Sequence, residues 1–191
     1  MTALTVNFNS IIKLTDEQFF QLCQQHELIL FERNADGTLV IMPLAGGLTS
    51  ISNASLTAQL YTWNREESWE IAFGSCTGFT LPNGAVRSSN ASWLKRDRWD
   101  IYTQEQKEKF APVCPEFVVE LYSDADNLKR LQDKMNEYLE NGNRLGWLID
   151  LETHKVEIYH QLQDVEVLEN PVTLSGEDVL RGSIINLESI L

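Results

Sequence analysis

The sequence predicts an α/β domain: a mixed β-sheet flanked by helices, with an N-terminal helix and β-hairpin. Three observations carry this. Residues 117–149 read as strand, helix, strand, an order that brings two strands together in parallel through a crossover. Phe117 to Tyr122 and Arg144 to Ile149 are largely apolar runs of strand length with little polar alternation, as in strands covered on both faces. Two short strand patterns flank Arg33-Asn-Ala-Asp-Gly, and two more flank a polar turn near residue 162, so antiparallel hairpins add to the parallel pair. With 191 residues, 43% of them hydrophobic, residues 1–191 fit one domain with a substantial core.

The elements follow in chain order. Thr15-Asp-Glu-Gln has the pattern of a capping box, and Phe19, Leu22 and Cys23 give a short helix to about His26 its apolar stripe. Leu28 to Glu32 and Thr38 to Met42 are the strands of the first hairpin, closed by Pro43. Ile51, Leu56, Leu60, Tyr61 and Trp63 recur at a helical period from Leu48 to Trp63, after a Gly46-Gly47 loop. Strands are expected over Trp69 to Phe73 and Ser89 to Leu94, and Thr77 to Gly84 reads as a strand edge running into a turn. Arg96 to Lys109 reads as a charged loop with a short helix from Thr103. Ser123-Asp-Ala-Asp126 is expected to cap a helix carrying Leu128, Leu131, Met135, Tyr138 and Leu139, which Gly142 ends. Lys155 to Tyr159 and Val165 to Leu168 form the last hairpin.

Charge limits the function classes. Fifteen Lys and Arg against 28 Asp and Glu give −13, so the surface as a whole repels polyanions, although a local cleft can still collect a cation or a phosphate. Cys23, Cys76 and Cys114 are widely spaced and odd in number, which argues against a disulfide framework or a zinc site and for a reducing cytoplasm. The opening MTALTVNFNSIIKL has no charged start followed by a long apolar core, and no segment has the length of a bilayer span, so neither export nor membrane insertion is expected. No phosphate-binding glycine motif, nucleophile elbow or zinc-spaced histidine pair occurs.

Glu120 is the residue the pattern does not explain by packing. A carboxylate inside an apolar strand must meet a cation, hydrogen-bond donors or a metal, or else be protonated. Period-two geometry puts Val118, Glu120 and Tyr122 on one face, and Lys134 on the next helix borders the apolar stripe and can reach back towards that face. Two readings stand: a structural ion pair and a functional site. Lys95, Arg96 and Arg98, interleaved with Trp99, likewise have two readings. They are the best nucleic-acid surface in the chain, whereas the neighbouring Asp97 and Asp100 favour a solvated face.

The order of motifs resembles the Uma-type family of restriction-endonuclease-like proteins, expanded in cyanobacteria, within the PD-(D/E)XK nuclease superfamily. The likeness runs nearly end to end: Thr15-Asp-Glu-Gln-Phe, Phe31-Glu32 before Asp36-Gly37, Met42-Pro43, Gly78-Phe79 before Leu81-Pro-Asn-Gly84, Arg87-Ser-Ser-Asn-Ala-Ser-Trp93, Pro115 to Ser123, Asp133-Lys134 with Tyr138, Gly146-Trp-Leu-Ile-Asp150, and Leu174 to Gly182. The resemblance implies a restriction-endonuclease-like mixed sheet, phosphodiester hydrolysis of DNA with Mg²⁺ or Mn²⁺, and a homodimer by analogy with enzymes that cut two strands. It makes Glu120 a metal ligand and catalytic residue and Lys134 the catalytic lysine, displaced onto the helix because Tyr122 stands at the usual lysine position. The second metal-binding carboxylate should fall at Asn90, where the family pattern Ser-Pro-Asp-Ala-Ser-Trp reads Ser88-Ser-Asn-Ala-Ser-Trp93. Asn90 is therefore a degenerate metal position, with Glu32 on the first hairpin as a compensating ligand or a surface carboxylate. A hard cation binds chiefly through carboxylates, so the ion is expected to bind weakly. Three functions remain open: an endonuclease-like hydrolase with weak or lost activity, a catalytically inactive module binding nucleic acid or protein, and a site for a small phosphate ester.

Overall fold

The computed structural model describes residues 3–68, 70–123 and 126–191. The chain runs β1 (Leu4–Val6), α1 (Asp16–Gln25), β2 (Leu30–Arg33), β3 (Leu39–Met42) and α2 (Gly47–Trp63), whose end widens into a π-helical turn over Asn64–Ser68. It continues as β4 (Ile71–Phe73), β5 (Phe79–Thr80), β6 (Val86–Arg87), β7 (Ala91–Leu94), α3 (Arg96–Asp100), α4 (Gln104–Glu108), β8 (Phe117–Tyr122) and α5 (Leu128–Glu140). The last strands are β9 (Leu145–Asp150), β10 (Lys155–His160), β11 (Glu166–Glu169), β12 (Thr173–Ser175) and β13 (Ile184–Asn186).

The main sheet has the order β11-β10-β9-β8-β7-β4. β8 and β9 are parallel, in register from Phe117 opposite Leu145 to Tyr122 opposite Asp150, and the other pairs are antiparallel. The expected mixed sheet is therefore present, with α5 as the crossover between its two parallel strands. A second, antiparallel sheet orders β1-β3-β2-β6-β5, and β12 pairs with β13.

Alternation along β8 divides the core. Phe117, Val119 and Leu121 pack with Leu56 and Leu60 of α2 and with the C-terminal Leu180, Ile185 and Leu187. Val118 faces the other way, into a cluster with Leu131, Met135 and Tyr138 of α5. Glu120 shares that second face, between β8 and α5 and close to the smaller sheet.

Local chemistry explains most boundaries. Thr15 and Gln18 form the expected capping box of α1, and Thr103 and Gln106 form another at α4. Gly37 in the first hairpin and Gly142 after α5 take positive φ, +97° and +105°, which a side chain disfavours. The cap of α5 is a correction. Asn127, not the Ser123-to-Asp126 segment, accepts the Arg130 N–H, while Asp126 Oδ2 takes the Ser123 N–H and hydroxyl in a separate turn. Asp124 and Ala125 of that expected cap, and Trp69 of the expected strand before Phe73, lie outside the described residues. The segment after Lys95 forms a five-residue helix before α4 rather than a plain loop. Among the described residues no helix is long and apolar enough to cross a membrane.

Candidate active site

Four of the expected residues converge although they come from four segments. β8 carries Glu120, α5 carries Lys134, β2 carries Glu32, and Asn90 precedes β7. Glu32, Glu120 and Lys134 are 1%, 4% and 5% exposed, so their charges must be balanced within the protein. Lys134 Nζ lies 2.6 Å from the Ser88 carbonyl, 2.7 Å from Glu32 Oε1 and 2.8 Å from Glu120 Oε1. Three oxygens thus surround an ammonium with three hydrogens. The bond to Ser88 is well directed. Glu120 Oε1 is near enough to be ion-paired but has no directed hydrogen bond, and it is buried.

Glu32 is the more firmly held carboxylate. Oε1 also accepts the Ser88 N–H at 3.0 Å, and Oε2 lies 3.7 Å from the Arg87 guanidinium. Arg87 in turn donates through Nε to Glu137 on α5 at 2.5 Å and through Nη2 to Asn34 at 2.9 Å. Burial works against the Glu32 charge, but Lys134, Arg87 and the Ser88 N–H outweigh it and hold its carboxyl below the usual range. Glu120 goes the other way. Burial pushes it up, nearby Glu32 adds repulsion, Lys134 offsets only part, and the result is about 6. Two neighbouring acids with pKa values driven apart are the pattern of a site arranged for more than packing.

Asn90 stands across from Glu120. Its backbone N–H donates to the Val119 carbonyl and its Oδ1 accepts the Leu121 N–H at 2.9 Å, so the side chain lies along the Glu120 edge of β8. The backbone donor also fixes which amide atom points there. Glu120, Asn90 and Lys134 open onto a cleft of about 670 Å³ between α2 and α5, whose far wall includes Leu30 and Met42 of the first hairpin.

The donor set decides how far a divalent cation suits these residues. Among the described residues no cluster of three or more His, Cys, Asp or Glu forms a ready metal cage. The Asn90 oxygen is engaged by a backbone N–H and Glu32 Oε1 by the Ser88 N–H and the Lys134 ammonium, whereas the buried Glu120 Oε1 has the Lys134 contact alone. Mg²⁺ is commonly held by one or two carboxylates together with substrate phosphates. The residues therefore fit a weak, one-carboxylate site completed by a phosphate.

The basic residues after β7 are elsewhere. β7 runs antiparallel to β8, so Lys95 lies beside the start of β8 while Glu120 lies near its end. The Lys95 N–H donates to Glu116, Arg98 reaches the Cys114 carbonyl and lies 3.9 Å from Glu116, and the Arg96 N–H donates to Glu70. None of the three lines the cleft. Sequence reasoning gave no role to Arg87 or Ser88, although both lie in the segment that carried the resemblance. The signal was a lone arginine beside a β-strand core position, and its partners Glu32 and Glu137 are remote in sequence.

A mixed sheet of this order flanked by helices is a nuclease-like fold. The comparisons agree. Residues 16–188 match the Uma2 family, described as "Putative restriction endonuclease", and the chain belongs to that family. A similar solved structure, described as a putative nuclease belonging to DUF820 from Anabaena variabilis ATCC 29413, is 18% identical with a TM-score of 0.77. The match covers 93% of this chain and 97% of that one, and shows the shared fold. No curated protein matches the chain.

Proposed function

We propose that the protein is a nuclease-like hydrolase of nucleic-acid phosphodiester bonds, with DNA as the first substrate to test, and that its divalent-cation site is weak because Asn90 stands where a carboxylate is expected. The observation that carries this reading is the buried Glu120 Oε1, without a directed hydrogen bond, beside the Lys134 ammonium at the floor of a cleft. Glu120 would hold Mg²⁺ or Mn²⁺ as its anionic ligand, with the Asn90 amide as a neutral neighbour. The ion, when bound, acidifies a water and stabilises charge on the scissile phosphate. Lys134 keeps a positive charge where the nucleophile and the phosphate meet, and Glu32, Ser88 and Glu120 hold that ammonium in place. Glu32 serves here as a support for the lysine rather than as a compensating metal ligand, since its Oε1 already takes the Ser88 N–H and the Lys134 ammonium and its Oε2 faces the Arg87 guanidinium. By analogy with restriction enzymes that cut both strands of a duplex, the reading includes a homodimer and a place in the cytoplasm.

A second reading has its own support. Lys134 contacts both carboxylates, so the site is partly neutralised without any metal, as in a binding module on a nuclease fold. Cleavage of single- and double-stranded DNA and RNA, with and without Mn²⁺, separates the two. The wild type is expected to cut slowly, Asn90→Asp faster, and Glu120→Ala not at all. Asn90→Asp keeps the bond to the Leu121 N–H and adds a charge beside Glu120, so calorimetry should show Mn²⁺ binding at least about tenfold tighter. Activity that survives Glu120→Ala removes the catalytic assignment. Binding without cleavage by all three proteins favours the module.

A further inference from the structure

The cleft holds a second buried polar atom without a partner, and this one is on a cation. Arg130 sits one helical turn before Lys134 on α5 and lines the same cleft. Its Nη2 is buried and has no hydrogen bond among the described residues, nor does Arg130 form an ion pair with any of them. Two acids that line the cleft are engaged with other groups. Asp126, which also lines the cleft, turns Oδ2 to the Ser123 N–H and hydroxyl, and Glu120 is paired with Lys134.

A buried guanidinium N–H without an acceptor is unfavourable, and an anion entering the cleft would remove that cost. Phosphate suits this donor because its oxygens match the forked N–H groups of arginine two at a time. Arg130 also lies in the first turn of a 13-residue helix, where the aligned peptide dipoles favour negative charge.

We propose that Arg130 is a phosphate-binding residue, its guanidinium taking a phosphate group of a phosphodiester ligand at the floor of the cleft. That the phosphate belongs to nucleic acid rests on the hydrolase reading above. A phosphate-sized anion site does not, and the test keeps the two apart.

Binding is measured without metal, in the presence of a chelator, so that neither cleavage nor the Asn90 question enters. Labelled single-stranded and duplex oligonucleotides are followed by fluorescence anisotropy, and inorganic phosphate by calorimetry. Arg130→Gln is expected to weaken oligonucleotide binding about tenfold and to reduce the slope of log affinity against log salt by about one. Arg130→Lys, which keeps the charge but not the fork, should keep the salt slope and lose part of the affinity. Lys129→Gln removes an exposed lysine paired with Asp133 outside the cleft and should change neither quantity. Thermal melts establish that the variants fold, and Arg130→Lys carries the test if Arg130→Gln does not.

Equal affinities for wild type and both Arg130 variants overturn the proposal, as does a wild type that binds neither oligonucleotide nor phosphate. If Arg130→Gln has no effect once Glu120→Gln is already present, Arg130 serves only to offset the Glu120 charge and the proposal also falls. Arg130-dependent binding of inorganic phosphate without oligonucleotide binding upholds the phosphate site and removes nucleic acid as its source.

Discussion

Glu120→Gln should make the protein more stable at pH 8, although it removes a charge from an ion pair. Burial, with repulsion from Glu32, raises the Glu120 carboxyl from an ordinary 4.5 to about 6 despite the Lys134 ammonium 2.8 Å away. The folded protein therefore binds this proton more tightly than the unfolded chain does. The stability that the protonated acid contributes is complete below the unfolded value near 4.5 and is lost as pH rises through about 6. A rise from 4.5 to about 6 corresponds to about 2 kcal/mol, which is the destabilisation that ionised Glu120 imposes at pH 8. Glutamine resembles the neutral acid in shape, so the variant should recover on the order of 2 kcal/mol at pH 8, a gain of roughly 4–8 °C in Tm for a chain of this size. At pH 4.5 wild type and variant should be nearly equal. Urea denaturation of the two proteins at pH 4.5, 6 and 8 measures the difference directly, because groups common to both cancel. A variant less stable than wild type at pH 8 would refute the reasoning, and would mean that the Lys134 contact outweighs burial. The sign also bears on function, since a group kept at a cost to folding is more readily explained by a role in the cleft than by packing.

Two further perturbations test the frame around the site. Arg87→Met should destabilise by about 3–5 kcal/mol in urea denaturation, since it leaves the buried Glu32 with one cation fewer and Glu137 with the Asn83 amide but no ion-pair partner; a loss under about 1 kcal/mol would show that Lys134 alone satisfies Glu32. Gly176→Ala, in the turn between β12 and β13, drives a methyl against Ser183 Oγ and Leu180 Cβ and to 2.8 Å from the Leu180 carbonyl, which must shift, and should cost about 1–3 kcal/mol by the same measurement.

The sequence by itself determined the parallel pair of strands, the helix between them and the burial of Glu120. Apolar runs of strand length and an apolar stripe at helical spacing are properties of neighbours along the chain, and hydrophobic burial converts them directly into layers. The first hairpin and the capping box of α1 were legible for the same reason, since their bonds span only a few residues. Short strands such as β1, β6 and β12 were not, because two or three residues form a strand only when a partner arrives from elsewhere, as Leu39–Met42 does for β1. The site divides in the same way. Motif order singled out Glu32, Asn90, Glu120 and Lys134, but only the tertiary structure decided that Glu32 and Glu120 share one ammonium although 88 positions separate them. It also decided that Arg87 secures one of the two acids, that Lys95, Arg96 and Arg98 lie towards the other end of the strands, and that Arg130 lines the cleft with one donor buried and unbonded among the described residues. Each is a long-range electrostatic match, set by which charges folding brings together in a low-dielectric interior rather than by local pattern.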